Sequence, residues 1–310
     1  MIKAIYKPRW ICFKLYSLNW SDIYKSFLSN CFEELSENKN CLSIIIDRKE
    51  IKTGFEEVQL IIRTTPYDTE EIKNTVYNNF SLRLNDLIKR KSLVVRKEKD
   101  KELKIENCLF FDDFYLISRR GLDKVLYENL LPFSTSLMMK SYSENNFNLS
   151  KAINKIIPLN ITLLHTFEFS ESEMTLYFNH FYSLLEKHFL KKDIKSKYFS
   201  NLENNFSSQK NDFNNVILYI IQTLSAKDHF EEEWLNSWVR SCQEAKKQAD
   251  IMPLQYKDIL TPVTSKSICE DNEKWALFLR FTRVIHKQMG IPYLIELNFM
   301  YSLKKSIKAS

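Results

Sequence analysis

FFDDFYLISRRGLDKVLYENLLPFSTSLMM, residues 110–139, holds the turning point of the chain. As far as Ser118 the residues are mostly aromatic and apolar, as a strand requires, whereas from Leu122 onward apolar residues recur at helical intervals. Between the two runs stand adjacent arginines and one of only three glycines, Arg119, Arg120 and Gly121. Charge concentrated between buried segments marks a site candidate, although Arg-Arg-Gly is also what a solvated turn looks like.

Upstream of this point the signals are mixed strand and helix. Residues 8–18, PRWICFKLYSL, read as a strand, and Ser21 or Asp22 can cap a helix with Ile23, Phe27, Cys31 and Leu35 on one side, ending near Asn38. Strands are expected at 42–48 and 58–64, with Gly54 between them and Pro66 closing the second. Glu70 and Glu71 open a helix carrying Ile72, Val76, Phe80 and Leu84 or Leu87, and Lys89, Arg90 and Lys91 complement its dipole at the far end. Residues 92–96 and 103–105 read as short strands, or one interrupted strand, before a strand at 108–118.

Downstream the period is helical to the end, with polar breaks rich in Ser, Asn and Lys expected at 141–148 and 196–214. His180 and His188 would sit about 80° apart around a helix with no H-x-x-x-H present, which suits core or surface histidines better than metal ligands. Trp234 and Trp238 share a helical face in a core pattern. Residues 272–289 form a strong helix stopped by Gly290 in the C′ position, and Pro292 starts a last helix whose end carries Lys304, Lys305 and Lys308. Strands this short cannot bury both faces alone, and amphipathic helices need an apolar partner. The expected architecture is therefore one α+β domain over residues 1–310, a mostly antiparallel sheet from a strand-rich 1–118 packed by helices, with a helix-rich 119–310.

Composition removes several function classes. Three glycines among 310 residues, with no G-x-G-x-x-G and no G-x-x-x-x-G-K-[ST], disfavour nucleotide-phosphate loops. The six cysteines lack C-x-x-C spacing and read as reduced, mostly buried thiols. The opening MIKAIYKPRWICFKLY is broken by Lys7, Pro8, Arg9 and Lys14 and lacks a signal-peptide core, and no apolar run reaches a membrane span, so a cytoplasmic location is expected. A formal net charge of +6 fits either a mixed solvated surface or a shallow positive field favouring an acidic peptide, with RNA the weaker fit.

Several segments resemble, in order, the C-terminal elimination domain of class I lantibiotic dehydratases, a domain that also stands alone in thiopeptide biosynthesis. They are Trp10-x-x-x-Lys14-Leu15-Tyr16, the strands at 42–48 and 57–62, Arg119-x-Gly121 followed by Glu128, Phe133 and Ser136, and the helix, Gly290 turn and final helix. The resemblance spans essentially the whole chain and implies an elimination-domain-like α+β fold. Its departures carry information. Gln59 and Ile61 stand where elimination domains carry strand arginines; Arg283 falls near their histidine, with His286 one turn later; and Lys287 and Gln288 replace an Asn-Arg pair, leaving Arg119 of the elimination set. Stand-alone thiopeptide pyridine synthases share such departures, and the likeness is greatest to the thiocillin type.

That resemblance implies a macrocyclase joining two dehydroalanines of a modified precursor in a formal aza-[4+2] cycloaddition, with loss of water and of the leader peptide. Its partner would be a leader-bearing thiazole/dehydroalanine precursor peptide, together with other enzymes of the pathway, and it would need no cofactor, metal or membrane. Tyr115, Arg119, His286 and Tyr293 are the candidate catalytic residues, as donors and one general acid/base. Structural roles stand beside these, with Arg119 paired to Asp112, Asp113 or Glu128 and His286 capping its helix end. Two other functions fit the same resemblance, a glutamate-eliminating subunit of a split dehydratase and a non-catalytic leader-binding module.

Overall fold

The computed structural model describes residues 9–50, 56–93, 108–112, 121–143, 149–189, 192–252 and 273–307. Contacts within the chain form two units, one of residues 1–120 and 131–147 and the other of residues 121–130 and 148–310. A strand-rich first part and a helical second part make the fold α+β.

In the first unit β1 (Arg9–Ser17), β2 (Cys41–Glu50), β3 (Glu56–Thr64) and β4 (Leu109–Asp112) form a sheet in the order β2-β3-β1-β4, antiparallel at every pairing. Register sets its two faces. Ile11, Phe13 and Leu15 of β1 align with Ile62, Leu60 and Val58 of β3, and Ile44 and Ile46 of β2 continue the same apolar face. Helix α3 (Thr69–Lys89) packs on that face, with Tyr77 edge-on to Phe13 at 5.8 Å. The expected helix after β1 is present in three parts, α1 (Trp20–Ile23), a π-turn (Tyr24–Leu28) and α2 (Ser29–Glu37). Ser29 Oγ donates to the Tyr24 carbonyl at 2.6 Å within the widened turn, and Phe27 meets Phe80 of α3 edge-on at 5.3 Å.

Helix α4 (Gly121–Ser143) contributes its first residues to the second unit and its remainder to the first. There Thr135 Oγ1 accepts the Ile46 N–H at 3.1 Å, blocking part of an edge strand, and Tyr142 packs against Trp20 and Tyr24. Among the described residues, the helices of this unit thus come from the strand-rich 1–118 and from the end of α4. Of the short strands expected near 92–105, Leu93 makes an isolated bridge to Ser17; residues 94–107, like 113–118 of the strand expected at 108–118, lie outside the described residues.

The second unit is helical throughout, with α5 (Leu149–Thr166), α6 (Glu171–Phe189), α7 (Lys192–Ala226), α8 (Glu233–Asp250), α9 (Glu273–Gln288) and α10 (Tyr293–Ser306). The polar break expected at 196–214 is instead the interior of α7. Asn204, Asn205, Ser207, Ser208, Lys210 and Asn211 are exposed while Leu202, Phe206, Ile217 and Ile220 are buried, so high polarity here marks an exposed helix surface rather than a loop. Trp238 is fully buried and its indole N–H donates to the Leu159 carbonyl at 3.1 Å, as the core reading of its helix face required. No helix among the described residues is long and apolar enough to cross a membrane.

Candidate active site

Polar side chains collect in the interior at two places, one in each unit. On the sheet, the face opposite α3 carries Asp47, Gln59 and Lys14 side by side on β2, β3 and β1. Lys14 Nζ reaches Asp112 of β4 at 2.6 Å, and this carboxylate raises the lysine pKa through their hydrogen bond. Asp47 Oδ1 accepts the Arg48 N–H at 2.8 Å. Gln59 is 1% exposed and its amide nitrogen donates to Glu57, while its carbonyl oxygen Oε1 is buried with no partner. Ile61 lies on the same face, fully buried. The two positions singled out in the sequence as lacking arginines are therefore interior and uncharged. Cys12, beside them, has its thiol pushed up to about 12 by burial, which removes it as a nucleophile near neutral pH.

The second place is the hairpin of α9 and α10. Gly290, at φ 71, ends α9 in a Schellman arrangement, with the Ile291 N–H on the His286 carbonyl and the Gly290 N–H on the Lys287 carbonyl, each at 3.0 Å. Glycine suits this left-handed position because it has no Cβ to clash there. His286 and Glu296 meet across this hairpin, with Nδ1 to Oε1 at 2.7 Å.

The other ring nitrogen, Nε2, lies 3.0 Å from the Asn160 side-chain nitrogen, which also donates to the Ile156 carbonyl at 2.9 Å. With the amide nitrogen so fixed, Nε2 accepts from Asn160 and Nδ1–H donates to Glu296. The ring is 1% exposed, stacked parallel to Phe181 at 5.9 Å and met edge-on by Phe299 at 6.0 Å. The second oxygen of Glu296 faces Arg283 Nε at 4.0 Å, and the Arg283 guanidinium lies over the Tyr293 ring at 5.0 Å.

Two of the four residues picked from the sequence, His286 and Tyr293, thus belong to one chain of contacts, Asn160–His286–Glu296–Arg283–Tyr293. Tyr115 and Arg119 lie outside the described residues. Asn160 and Glu296, which hold the two nitrogens of the His286 ring, were missed. A signal for Glu296 exists in the lone acid of the apolar run Tyr293–Tyr301, placed in the first turns of a helix; Asn160 offers none, since it is drawn in by the fold of α5 against α9. Among the described residues no group of three or more His, Cys, Asp or Glu could hold a metal ion.

No protein-family model matches the chain, and no curated protein matches it in sequence. Similarity appears in three dimensions. The pyridine synthase TbtD from thiomuracin biosynthesis superposes with a TM-score of 0.66 at 12% identity, covering 97% of this chain and 98% of that one. TsrL matches with a TM-score of 0.63 at 10% identity, over 98% and 95% of the two chains. The tRNA-dependent lantibiotic dehydratase MibB from Microbispora sp. 107891 gives a TM-score of 0.46 at 9% identity, over 99% of this chain and 28% of its own. The fold of this chain is thus, from end to end, similar to that of the thiomuracin pyridine synthase.

Proposed function

We propose that the chain is a peptide-modifying enzyme of the pyridine synthase kind, acting on a leader-bearing precursor that contains thiazoles and two dehydroalanines. The observation that carries this reading is the likeness of fold over nearly the whole of both chains, a match of extent as well as topology. The neutral, interior Gln59 and Ile61 support it against the glutamate-eliminating alternative, because expelling a glutamate calls for cations at the departing carboxylates.

In the proposed reaction one dehydroalanine and an adjoining amide, held as its imidic-acid tautomer, form a 2-azadiene that adds to the other dehydroalanine. Two C–C bonds form, from the methylene carbon and the imidic carbon of the azadiene to the two alkene carbons, and the amide nitrogen becomes the ring nitrogen. The hydroxyl then leaves as water and the leader leaves as a carboxamide, giving the pyridine. Holding both alkenes in near-attack geometry can supply roughly 7–11 kcal/mol of the barrier, and the remaining steps need donors and a proton carrier rather than a metal. Tyr115, Arg119, His286 and Tyr293 are the residues proposed for these tasks, with His286 acting through Glu296 because its ring is enclosed. The net charge of +6 favours an acidic leader, whose affinity would then fall with salt.

The test is mass spectrometry of the purified protein with a dehydrated, thiazole-bearing precursor. Release of an intact leader carboxamide together with a macrocycle is expected. A precursor that binds without any change in mass would replace this reading with that of a leader-binding module.

A further inference from the structure

We propose that Arg283 is a substrate-binding residue that receives a neutral carbonyl oxygen of the peptide; this rests on the cyclase reading above. Its Nε atom is buried and has no hydrogen-bond partner, and among the described residues none accepts a hydrogen bond from this guanidinium. The side chain nevertheless keeps 28% of its surface. Buried donors in folded proteins are almost always satisfied, so a guanidinium left in this condition calls for an acceptor from outside the chain.

It is also held still. Tyr293 lies against one face at 5.0 Å, and Glu296 stands 4.0 Å from Nε, close enough to balance the charge but too far to satisfy the donor. The carboxylate is kept there because its other oxygen is taken by His286 Nδ1–H at 2.7 Å, while Asn160 occupies the opposite side of that ring. Asn160, His286 and Glu296 are positioning residues in this arrangement, and Arg283 is the group that meets the ligand.

Charge decides the class of ligand. The Glu296 carboxylate balances the Arg283 guanidinium, so the donors of that guanidinium are offered with its charge already countered. Such a site suits an amide carbonyl better than a carboxylate, which would meet the Glu296 charge behind the guanidinium.

The experiment uses the full chain and a leaderless, C-terminally amidated thiazole peptide with two dehydroalanines, its binding followed by fluorescence anisotropy. R283Q should weaken binding at least tenfold, and the wild-type affinity should change less than twofold between low and high salt. E296A should weaken binding as well, whereas E296Q, which keeps an acceptor for His286, should restore most of it. Matching melting temperatures for R283Q and wild type separate lost contact from lost fold. Unchanged affinity in R283Q overturns the proposal, even if the wild-type protein cyclises its precursor. Lost affinity in R283Q, in a protein that never cyclises, supports the site and refutes the cyclase reading. A wild-type protein that does not bind this peptide overturns the proposal outright.

Discussion

The two units keep polar groups in their interiors by opposite means. In the sheet, the contacts run between neighbours, with Lys14 to Asp112 across adjacent strands, Arg48 to Glu56 near a strand end, and Gln59 to Glu57 along one strand. In the helical unit one connected chain runs from Asn160 through His286 and Glu296 to Arg283. The difference follows from geometry. A pleated strand turns every second side chain to the same face, so opposite charges can be placed beside each other one pair at a time. A helix pair offers few such meeting points, and polar residues that enter its core must satisfy one another in series. A half-exposed contact on the sheet is expected to fail singly and a buried series to fail together.

The largest expected effect comes from cutting the series at its centre. Glu296→Ala leaves the His286 N–H without its acceptor and the Arg283 guanidinium without the charge that balances it, at a cost of about 3 kcal/mol of folding stability by the rule for removing one partner of a buried ion pair. Urea unfolding measures it, and a loss under 1 kcal/mol would show that the chain is not coupled.

A smaller effect, confined to one unit, is expected from acid. All five histidines belong to the helical unit, and burial lowers the pKa values of His165 and His180 below 6.5, with Lys187 adding to the shift at His180. The unfolded chain therefore takes up protons at these sites first as pH falls. Their contribution is fully present above pH 6.5 and is lost as pH drops through their folded values. Hydrogen exchange between pH 7.5 and 5.5, corrected for intrinsic rates, should show weakening in the helical unit and little change in the sheet. The reverse order would break the contrast.

The smallest effect is expected at Lys14 and Asp112, whose side chains keep 26% and 38% of their surface. Asp112→Asn should cost about 0–1 kcal/mol, as for other half-exposed pairs. A loss as large as that of Glu296→Ala would mean that the sheet face is coupled after all.

These contrasts explain what could be read from the residues alone. Strand alternation, the helix of Ile72, Val76 and Phe80, and the Gly290 stop are local, so β1, β3, α3 and the α9–α10 hairpin follow from spacing and turn chemistry. His286 and Tyr293 were visible because a histidine near a helix end and a tyrosine opening the next helix stand at a recognisable turn. Glu296 and Asn160 were not, because their roles come from tertiary contact across that turn and from α5, far away in the chain. Residues 196–214 misled for a related reason. A helix that is polar over most of its surface has the composition of a loop, and only its few buried positions, such as Leu202 and Phe206, distinguish it.

The central claim is that this fold, with uncharged Gln59 and Ile61 in its sheet, performs ring closure rather than glutamate expulsion. One measurement puts the two against each other. The purified protein is given, in a single reaction, a bis-dehydroalanine thiazole precursor and a peptide bearing a glutamylated serine on the same leader, and both are followed by mass spectrometry. The account predicts that the first loses water and its leader carboxamide while the second keeps its mass. Loss of glutamate from the second, with the first unchanged, would contradict it.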